Sequence, residues 1–402
     1  MKKVLIIAPY TYFPHESGFN RFIHIAEMLA DNNYLVELVT SNFIHNEKKF
    51  REFKDFKKKT QHLKYKITLL EEIGYSTNVS LERIKSQKEF SNNLKNYLRN
   101  NYDYDLIYTA YPLISAAEIA LQYSEKNKIP FILDIQDIWP ESINTFLKLP
   151  IPLLNVLIFP LSIKANRIYK KAKNVIAVSD TYLDRALKVN MNVNYKKTIP
   201  IGTDLEYFDQ HRSLSKKNIE NEFWITYIGT ISHSYDIETL IKAVMLLNKQ
   251  GYDNIKLKIC GNGPQEHKLK EVSKNNDSIE FLGNLKYESL IPILSMSDVA
   301  ANALTKGSMG SLTNKLGDYL SAGLPILNSS LNKEVLNLIV QKNVGFNYSP
   351  GDYTELSKLI LLLFNDDQLR ETLAWNARNL AEEKFDRKIT YPSIISLIKE
   401  VI

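Results

Sequence analysis

The stretch that decides the fold is residues 224–263, WITYIGTISHSYDIETLIKAVMLLNKQGYDNIKLKICGNG. It opens with a short β-branched and aromatic run, Trp224–Ile228, and ends with a second run, Ile255–Ile259. Between the two runs, apolar residues recur at helical spacing: Ile237, Leu240, Ile241, Val244 and Leu247. A strand, a helix and a second strand of these lengths predict a βαβ unit with two parallel strands.

The same alternation runs through the first half of the chain. Apolar runs that predict strands buried on both faces are Val4–Ile7, Leu35–Val39, Ile67–Leu70, Leu106–Thr109, Phe131–Ile135 and Val175–Val178. Further strands in the second half are predicted at Ile279–Leu282, Asp298–Ala301 and Pro325–Leu327. The sequence therefore predicts an α/β protein with two Rossmann-like, doubly wound parallel sheets.

The domain boundaries follow from where this pattern breaks. The polar stretch from Asp209 to Asn221 has no apolar period and is typical of a linker. We expect a first domain over 1–205, a linker over 206–220, a second domain over 221–385 and a last helical segment over 386–402 that returns to the first domain. Because ligands bind beyond the carboxyl ends of parallel strands, we expect both domains to face one cleft.

Composition excludes several classes of protein. A chain of 402 residues is too long for one ordinary core. The 51 Lys and Arg against 45 Asp and Glu leave only +6, which argues against nucleic acid as the partner. The single cysteine, Cys260, excludes an internal disulfide framework and fits a reducing compartment; we interpret it as a small core residue. The longest apolar stretch, Ile151 to Ile163, is too short to span a bilayer, so we expect a cytoplasmic protein that docks at most on a membrane surface.

Two loops of the first domain carry candidate functional residues. Gly18 precedes a helix whose first turns carry Arg21 and His24, an arrangement that attracts anions, although a turn glycine with solvated polar residues explains it equally simply. The strand Phe131–Ile135 contains Asp134 and is followed by Asp137, and a carboxylate at a strand end can act as a base or bind hydroxyls. The structural alternatives are that Asp134 faces a core partner and that Asp137 caps the following turn.

Three loops of the second domain suggest a phosphate-binding site. Gly229 and Thr230 follow one predicted strand, Gly261 and Gly263 follow another, and a loop from Gly307 to Asn314 precedes a helix. Glycines let a backbone approach a phosphate closely, and free amides at a helix start hold its charge. Lys315 and Asp318 lie three apart, so Lys315 would meet a diphosphate and Asp318 the ribose hydroxyls of a nucleotide.

Taken together, these loops and their neighbouring segments resemble those of the retaining, nucleotide-sugar-dependent glycosyltransferases of family 4, which have the GT-B fold. The resemblance is strongest to bacterial enzymes that build capsules and aminosugar-containing O-antigens. Its most specific segments are Asp137-Ile-Trp139-Pro140-Glu141 and Lys315-Leu-Gly-Asp318-Tyr-Leu-Ser-Ala-Gly323-Leu-Pro325. Weaker matches are Ala177-Val-Ser179, Ile199-Pro-Ile-Gly202-Thr-Asp204, Ile259-Cys-Gly-Asn-Gly-Pro264 and Phe281-Leu-Gly283.

The resemblance implies roles for particular residues. Catalytic roles fall on Asp137, Lys315 and Arg21. Donor binding falls on Gly18, Gly229, Thr230, Gly261, Gly263, Leu285, Gly310, Ser311, Leu312, Thr313 and Asp318. Acceptor binding falls on His15, Arg21, Trp139 and Glu141.

The chain departs from the family pattern at four of its donor-binding positions. The family's pair of glutamates becomes Gly310 and Asp318, and the usual Arg and Lys after the first strand of the second domain become Thr230 and Tyr235. These departures leave the identity of the donor open.

The resemblance also implies the reaction and its partners. The donor would be a nucleoside-diphosphate sugar, most simply a UDP-sugar, with an N-acetyl aminosugar as one option. The acceptor would be a saccharide or a lipid-linked oligosaccharide. Transfer would retain the anomeric configuration without cofactor or metal. Asp103 and Asp105 have the spacing of a metal-binding pair, but we expect no metal there, because they precede a strand at the sheet edge opposite the ligand side. Two alternatives stay open: a nucleotide-sugar 2-epimerase of the same fold, and a non-catalytic partner protein.

Two stretches combine basic and apolar residues. One runs from Lys48 to Lys59 and carries Phe50, Phe53 and Phe56; the other runs from Ile151 to Lys173. An anionic membrane surface would attract both, and a solvated helix packed on the sheet explains the first equally well. For the second stretch we expect the apolar part to be a buried helix.

Overall fold

The computed structural model describes residues 1–13, 16, 20–78, 80–101, 103–143, 151–212, 222–308 and 310–402. The chain forms two compact units. The first consists of Met1–Ile199 and Tyr391–Ile402, and the second of Pro200–Thr390. His15 and Gly18, both assigned to ligand binding from the sequence, lie outside the described residues.

The first unit is built on a seven-stranded parallel sheet with the order β5-β2-β1-β6-β7-β8-β9. The strands and a small antiparallel hairpin, β3–β4, have these bounds: β1 Lys3–Ile7, β2 Leu35–Ser41, β3 Phe43–Ile44, β4 Lys49–Phe50, β5 Lys66–Leu70, β6 Leu106–Tyr111, β7 Phe131–Ile135, β8 Asn174–Ala177 and β9 Tyr195–Thr198.

The second unit is built on a six-stranded parallel sheet with the order β12-β11-β10-β13-β14-β15. Its strands are β10 Phe223–Ile228, β11 Ile255–Cys260, β12 Ile279–Gly283, β13 Val299–Asn302, β14 Ile326–Asn328 and β15 Gly345–Asn347. The prediction of two Rossmann-like parallel sheets is confirmed. It missed β15, the hairpin and most of β9, of which only Thr198 was recognised as strand-like. These elements are two to four residues long and leave no measurable period.

The α-helices alternate with these strands. They are α1 Arg21–Asp31, α2 Phe53–Thr60, α3 Leu81–Arg99, α4 Ile114–Asn127, α5 Ile151–Lys171, α6 Asp180–Leu187, α7 Leu205–His211, α8 Ile237–Lys249, α9 Glu266–Val272, α10 Tyr287–Met296, α11 Asn314–Ser321, α12 Lys333–Gln341, α13 Tyr353–Asn365, α14 Asp367–Leu380, α15 Arg387–Thr390 and α16 Pro392–Val401. Within the predicted linker, residues 206–211 lie in α7, and residues 213–220 lie outside the described part.

The last helix contributes to the core of the first unit. Tyr391, Ile394 and Ile398 are fully buried in the same apolar cluster as Ile6 on β1 and Phe22 on α1. The two ends of the chain therefore share one core. The second unit has apolar clusters of its own on its sheet.

Helix α5 differs from the sequence expectation that its apolar part is buried. One stripe is buried, including Leu154, Ile158, Ala165 and Ile168. The rest of its apolar surface is exposed: Leu153, Val156, Leu157, Phe159, Leu161 and Ile163. A helix that is apolar on all sides exposes part of its apolar surface unless a second layer covers it.

The basic stretch between Lys48 and Lys59 is divided between core and surface. Phe56 of α2 is buried edge-to-face on Phe13, with ring centroids 4.8 Å apart, whereas Phe50 and Phe53 are exposed. Arg51 is buried and ion-paired with Glu16, with Nε 2.7 Å from Oε1, so it is not a surface charge. Among the described residues, no helix has both the length and the apolar character needed to cross a bilayer.

Candidate functional site

The glycine loops of the second unit pack tightly on one another at the carboxyl ends of β10 and β11. Gly229 N donates a hydrogen bond of 2.8 Å to Cys260 O. A Cβ on Gly261 would lie 1.9 Å from Gly229 O, and one on Gly263 would lie 2.3 Å from Ile231 O. Gly261 and Gly263 are therefore required first for the contact between the two loops, a role that the sequence reasoning did not assign to them.

Lys315 lies against this pair of loops. It occupies the first turn of α11, and its Nζ donates to Tyr227 Oη over 2.9 Å. The same Nζ is 3.3 Å from the centroid of the Tyr235 ring, and Cε is 2.5 Å from the position that a Cβ on Gly229 would take. The structure thus brings together Lys315 and Gly229, both assigned to the donor site from the sequence. It adds Tyr227, and it places Tyr235, named from the sequence only as a departure from the family pattern, against Lys315.

The charge of Lys315 has no acidic partner. Within the described ranges, no carboxylate oxygen lies within 4.0 Å of its Nζ. Burial lowers the pKa of the Lys315 ammonium well below its usual range. Because a half-buried cation without an acidic partner is costly, an anionic ligand at this position would stabilise the charged form.

The loop before α11 supplies polar groups next to Lys315. Thr313 Oγ1 is buried and has no hydrogen-bond partner among the residues that the structure describes. Ser311 Oγ donates to Glu334 over 2.9 Å, which anchors the loop to the start of α12. A Cβ on Gly310 would make only ordinary contact, 3.4 Å from Leu304 Cδ2, so this position has room for a side chain.

The other residues assigned to donor binding differ in exposure. Thr230 is exposed, and its carbonyl accepts from Tyr227 Oη over 2.8 Å. Leu285 and Leu312 are half-buried against the apolar cluster that contains α11. Neither leucine offers a side-chain polar group, so any contact they make with a ligand is apolar.

Asp318 lies one turn after Lys315. Its Oδ1 accepts hydrogen bonds from Tyr287 Oη at 2.7 Å and from Thr203 Oγ1 at 3.1 Å. Burial raises the pKa of the Asp318 carboxyl above its usual value, although these two hydroxyls and Arg387 act in the opposite direction. The protein's own hydroxyls therefore already engage the oxygen that the sequence had assigned to the ribose.

Arg21 does not occupy a ligand-facing position in the first unit. Its side chain and that of Asp134 are both completely buried, and Arg21 Nε lies 2.8 Å from Asp134 Oδ2. Arg21 Nη1 also donates to Ile199 O at 3.1 Å and to Tyr391 Oη at 3.4 Å. This geometry does not fit a role for Arg21 in catalysis or acceptor binding. It fits the alternative interpretation of Asp134, that its carboxylate faces a partner in the core.

The loop after β7 is held together by Asp137. The carboxylate accepts from Ile138 N at 2.8 Å, from Trp139 Nε1 at 3.0 Å and from Ser142 Oγ at 2.7 Å. Burial raises the pKa of the Asp137 carboxyl, while these hydrogen bonds act to lower it. Its observed contacts are those of a turn cap, the structural alternative for this residue.

Glu141, Asp103 and Asp105 also form ion pairs with other residues of the first unit. Glu141 accepts from Arg185 Nε, so its carboxylate is ion-paired within the first unit. Asp105 accepts from Lys2 Nζ at 3.0 Å, and Asp103 lies 3.4 Å from Lys3 Nζ. Lysines near the chain start thus engage both acids of the turn.

Comparisons with known proteins agree with this geometry. Residues 209–380 match the family described as Glycosyl transferases group 1. Over 96% of both chains, the sequence is 25% identical to an uncharacterized glycosyltransferase of Methanocaldococcus jannaschii. It is 23% identical to the capsular polysaccharide biosynthesis glycosyltransferase CapM of Staphylococcus aureus, over 56% of this chain and 61% of CapM. The chain is therefore similar to group 1 glycosyl transferases over residues 209–380 and to a glycosyltransferase along almost its whole length.

Solved structures agree on the fold of this chain. Anabaena HepE, crystallised with UDP-glucose, matches with a TM-score of 0.68 at 17% identity, and the match covers 100% of both chains. WaaG, a glycosyltransferase involved in lipopolysaccharide biosynthesis, matches with a TM-score of 0.65 at 14% identity, over 97% of this chain and 98% of WaaG. The two parallel sheets are those of the GT-B fold.

The sequence named Tyr235 only as a departure from the family pattern, and it did not point to the other side chains that contact Lys315 and Asp318 at the candidate donor site. Tyr227 and Tyr235 contact Lys315, while Tyr287 and Thr203 donate to Asp318. Tyr227 lies within a predicted strand, where its alternation reads as core, and Tyr287 lies far along the chain from Asp318. A spacing rule of three or four residues finds only partners on the same helix.

Proposed function

We propose that the chain is a retaining glycosyltransferase that uses a nucleoside-diphosphate sugar, with the donor's diphosphate at Lys315 and Gly229. The observation that carries this proposal is the unpaired ammonium of Lys315, held over two tyrosine rings beside a glycine loop. Thr313, whose buried hydroxyl lacks a partner among the described residues, would donate to the same diphosphate. A diphosphate supplies the negative charge and the acceptor oxygens that these groups need.

UDP is the nucleotide we favour. HepE, which has the same fold, was solved with UDP-glucose bound. The sugar itself, a hexose or an N-acetylhexosamine, is left open by Gly310, because this position has no side chain to contact sugar hydroxyls.

In the proposed reaction, the bond between the anomeric carbon and the diphosphate oxygen breaks, and a bond to the acceptor oxygen forms on the same face of the sugar. The proton of the acceptor hydroxyl passes to the departing diphosphate. Lys315 and the loop amides stabilise the charge that develops on this leaving group. Neither a metal ion nor a covalent enzyme intermediate is required, and Asp137 positions the Trp139 loop.

For the acceptor we propose a saccharide or lipid-linked oligosaccharide of a bacterial surface polysaccharide. The similarity to CapM, a capsular polysaccharide biosynthesis glycosyltransferase, supports this class. Such an acceptor would be presented at the inner face of the cell membrane, which requires the protein to dock there.

Helix α5 is the surface that we assign to an anionic bilayer. Its exposed apolar residues would enter the interface, and exposed cations follow on the same helix and just after it: Lys164, Arg167, Lys170, Lys171 and Lys173. Glu118 lies within 4.0 Å of two of these cations and Glu125 of a third, so they are partly neutralised. Each cation near an anionic surface contributes about 1 kcal/mol, and apolar insertion adds to this.

Sedimentation with vesicles of phosphatidylglycerol and phosphatidylcholine tests the docking. Val156→Glu on α5 should reduce the bound fraction at least fivefold. Val340→Glu on α12 is the matched control, because Val156 is 73% and Val340 68% exposed. Equal loss in both variants, or no binding by the wild type at low salt, would contradict this assignment.

A thermal-shift panel tests the donor assignment. A ligand that binds only the folded state raises its apparent stability, by about 2.7 kcal/mol at a concentration 100 times its dissociation constant. We expect UDP and UDP-sugars to shift the transition more than GDP, ADP or UMP at equal concentration. A panel in which no nucleoside diphosphate shifts it would overturn the proposed function.

A further inference from the structure

A second candidate site lies in the first unit, among loops that follow the carboxyl ends of its strands. We call it the Arg83 cluster; its members are Tyr10, His45, Lys48, Tyr75, Arg83 and Trp139. Tyr10 follows β1, His45 follows β3, Tyr75 follows β5 and Trp139 follows β7, while Arg83 lies in the first turn of α3. Apart from the buried Tyr75, all of these residues are partly exposed, so solutes reach them.

Aromatic rings form the walls of the Arg83 cluster. The guanidinium carbon of Arg83 is 5.7 Å from the centroid of the Tyr75 ring and 5.8 Å from that of Trp139. Lys48 Nζ is 4.6 Å from the Tyr75 centroid, and the rings of Tyr10 and His45 are 5.2 Å apart. Two cations therefore converge on one tyrosine, with further rings around them.

No carboxylate forms a direct ion pair with either of these two cations among the described residues. Within the described part of the chain, no carboxylate lies within 4.0 Å of Arg83 or Lys48. Both instead donate to Asn78, Arg83 Nη1 to its carbonyl at 2.7 Å and Lys48 Nζ to its side-chain oxygen. Arg83 Nε is buried and has no partner among the described residues. A guanidinium with a free donor beside a second cation is suited to an oxyanion.

The neighbouring acids are engaged by other groups. Arg83 acts to lower the pKa of Asp137, but the Asp137 carboxylate accepts its hydrogen bonds from Ile138 N, Trp139 Nε1 and Ser142 Oγ. Glu72 accepts from Ser41 and from Ser86 Oγ at 2.5 Å. Burial, Lys48 and Arg83 lower the pKa of His45 to about 3, so its imidazole is neutral. Burial and Arg83 lower the pKa of Lys48 to about 8, the direction expected when two cations share a site without an anion.

We propose that the Arg83 cluster binds an anionic group of the acceptor, a phosphoryl or carboxylate attached to a sugar whose ring lies against Trp139. Aromatic side chains offer a flat apolar surface to a sugar ring, and the two cations hold the charged substituent. This inference rests on the proposed glycosyl transfer and narrows its acceptor to a charged saccharide. It also gives Asp137 a positioning role, because Asp137 holds the Trp139 indole by its Nε1 hydrogen bond.

Titration calorimetry with three probes tests the site: N-acetylglucosamine 1-phosphate, glucuronate and neutral N-acetylglucosamine. We expect wild-type protein to bind at least one charged probe at least tenfold more tightly than the neutral sugar. Binding of the phosphate probe alone assigns a phosphorylated acceptor, and binding of glucuronate alone assigns an acidic sugar. Arg83→Gln should weaken charged-probe binding at least tenfold, whereas Arg99→Gln, at the exposed end of the same helix, should leave it unchanged.

Two further measurements keep the inference separate from folding and from the donor site. Lys48→Gln should weaken the charged probe without loss of the Arg83–Asn78 contact, and circular dichroism should show native helix content in every variant. UDP binding should match the wild type in Arg83→Gln. If UDP binds but the wild type shows no preference for charged probes, this inference alone is overturned. Equal binding of the charged probe by Arg83→Gln and Arg99→Gln has the same consequence. If the wild type does not bind UDP, the proposed function is overturned.

Discussion

Lys315→Met removes one charge from the candidate donor site and keeps an unbranched side chain along Gly229. In the wild type, Nζ has no carboxylate partner among the described residues, so the change breaks no ion pair there. A hydrogen bond to a charged group contributes about 1.5–3 kcal/mol, which corresponds to a roughly 10- to 150-fold weaker dissociation constant for UDP. The stability of the free protein should be unchanged or about 1 kcal/mol higher, because a half-buried amine without an acidic partner is lost.

The pH dependence gives this prediction a second signature. Burial lowers the pKa of Lys315 in the free protein, and a bound diphosphate raises it again by favouring the charged form. Binding of UDP therefore takes up a proton at pH values between these two pKa values, and affinity falls as pH rises through that window. The Lys315→Met variant should lack this uptake.

The lowered pKa of Lys315 also makes the stability of the free protein depend on pH. Because the unfolded chain binds a proton at Lys315 more tightly than the folded chain, the wild type gains stability as pH rises from the lowered folded pKa towards about 10.4. Any stability advantage of Lys315→Met should shrink over that range.

Titration calorimetry of UDP in two buffers of different ionisation enthalpy measures both the affinity and the proton uptake. Lys358→Met, an exposed lysine on α13, is the matched control and should behave as wild type. The reasoning is refuted if Lys315→Met binds UDP within twofold of the wild type, or if it unfolds at a clearly lower temperature than Lys358→Met.

Four further predictions concern single residues. Gly310→Glu should fold normally, since its Cβ has room, and should raise affinity for UDP-glucose relative to UDP in calorimetry. Arg21→Met leaves Asp134 buried without its cation and should lower unfolding free energy by about 3–5 kcal/mol in urea titrations, with the KM for donor unchanged. Gly261→Ala should destabilise the protein strongly in thermal unfolding, because its Cβ would overlap a carbonyl. Cys260, whose pKa burial raises to about 12, should react with a thiol reagent at pH 8 only as the protein unfolds.

Controls for these predictions lie elsewhere in the same chain. Gly307→Glu, with open space around its Cβ, checks whether any added acid in the loop changes UDP-glucose binding; an equal response would contradict a specific role for position 310. Gly251 also has a positive φ, of 94°, but a Cβ there would meet no neighbour. A loss of stability in Gly251→Ala equal to that in Gly261→Ala would therefore contradict the proposed clash. A stable Arg21→Met with impaired donor or acceptor KM would return Arg21 to the substrate site.

The sequence predicted the structure best where hydrophobic periodicity and the positions of glycines determine it. Both parallel sheets follow from apolar runs such as Val4–Ile7 and Trp224–Ile228, because strands buried on two faces must be continuously apolar. Lys315 and Gly229 were also predicted to share a site, since the loops that follow parallel strands gather at one sheet edge.

The errors arose where long-range contacts decide a residue's role. Arg21 looks like an anion-binding residue at a helix start, yet Asp134, more than 100 residues away, pairs with it in the core. The sequence of α5 predicts a buried helix because apolar residues occur on all of its faces, yet one of these faces is exposed. The Arg83 cluster has no motif at all: its residues come from five separate loops and helix starts, and only the fold brings them together.

The central claim is glycosyl transfer from a nucleoside-diphosphate sugar, and label transfer measures it most directly. Purified protein would be incubated with UDP-sugars radiolabelled in the sugar, with and without a bacterial membrane extract, and the released UDP and the labelled products would be separated. The account predicts acceptor-dependent release of UDP with one equivalent of label in a saccharide or lipid-linked product, and loss of both in Lys315→Met. Conversion of the donor to its epimer without acceptor, or no turnover of any UDP-, GDP- or ADP-sugar by folded protein, would contradict it.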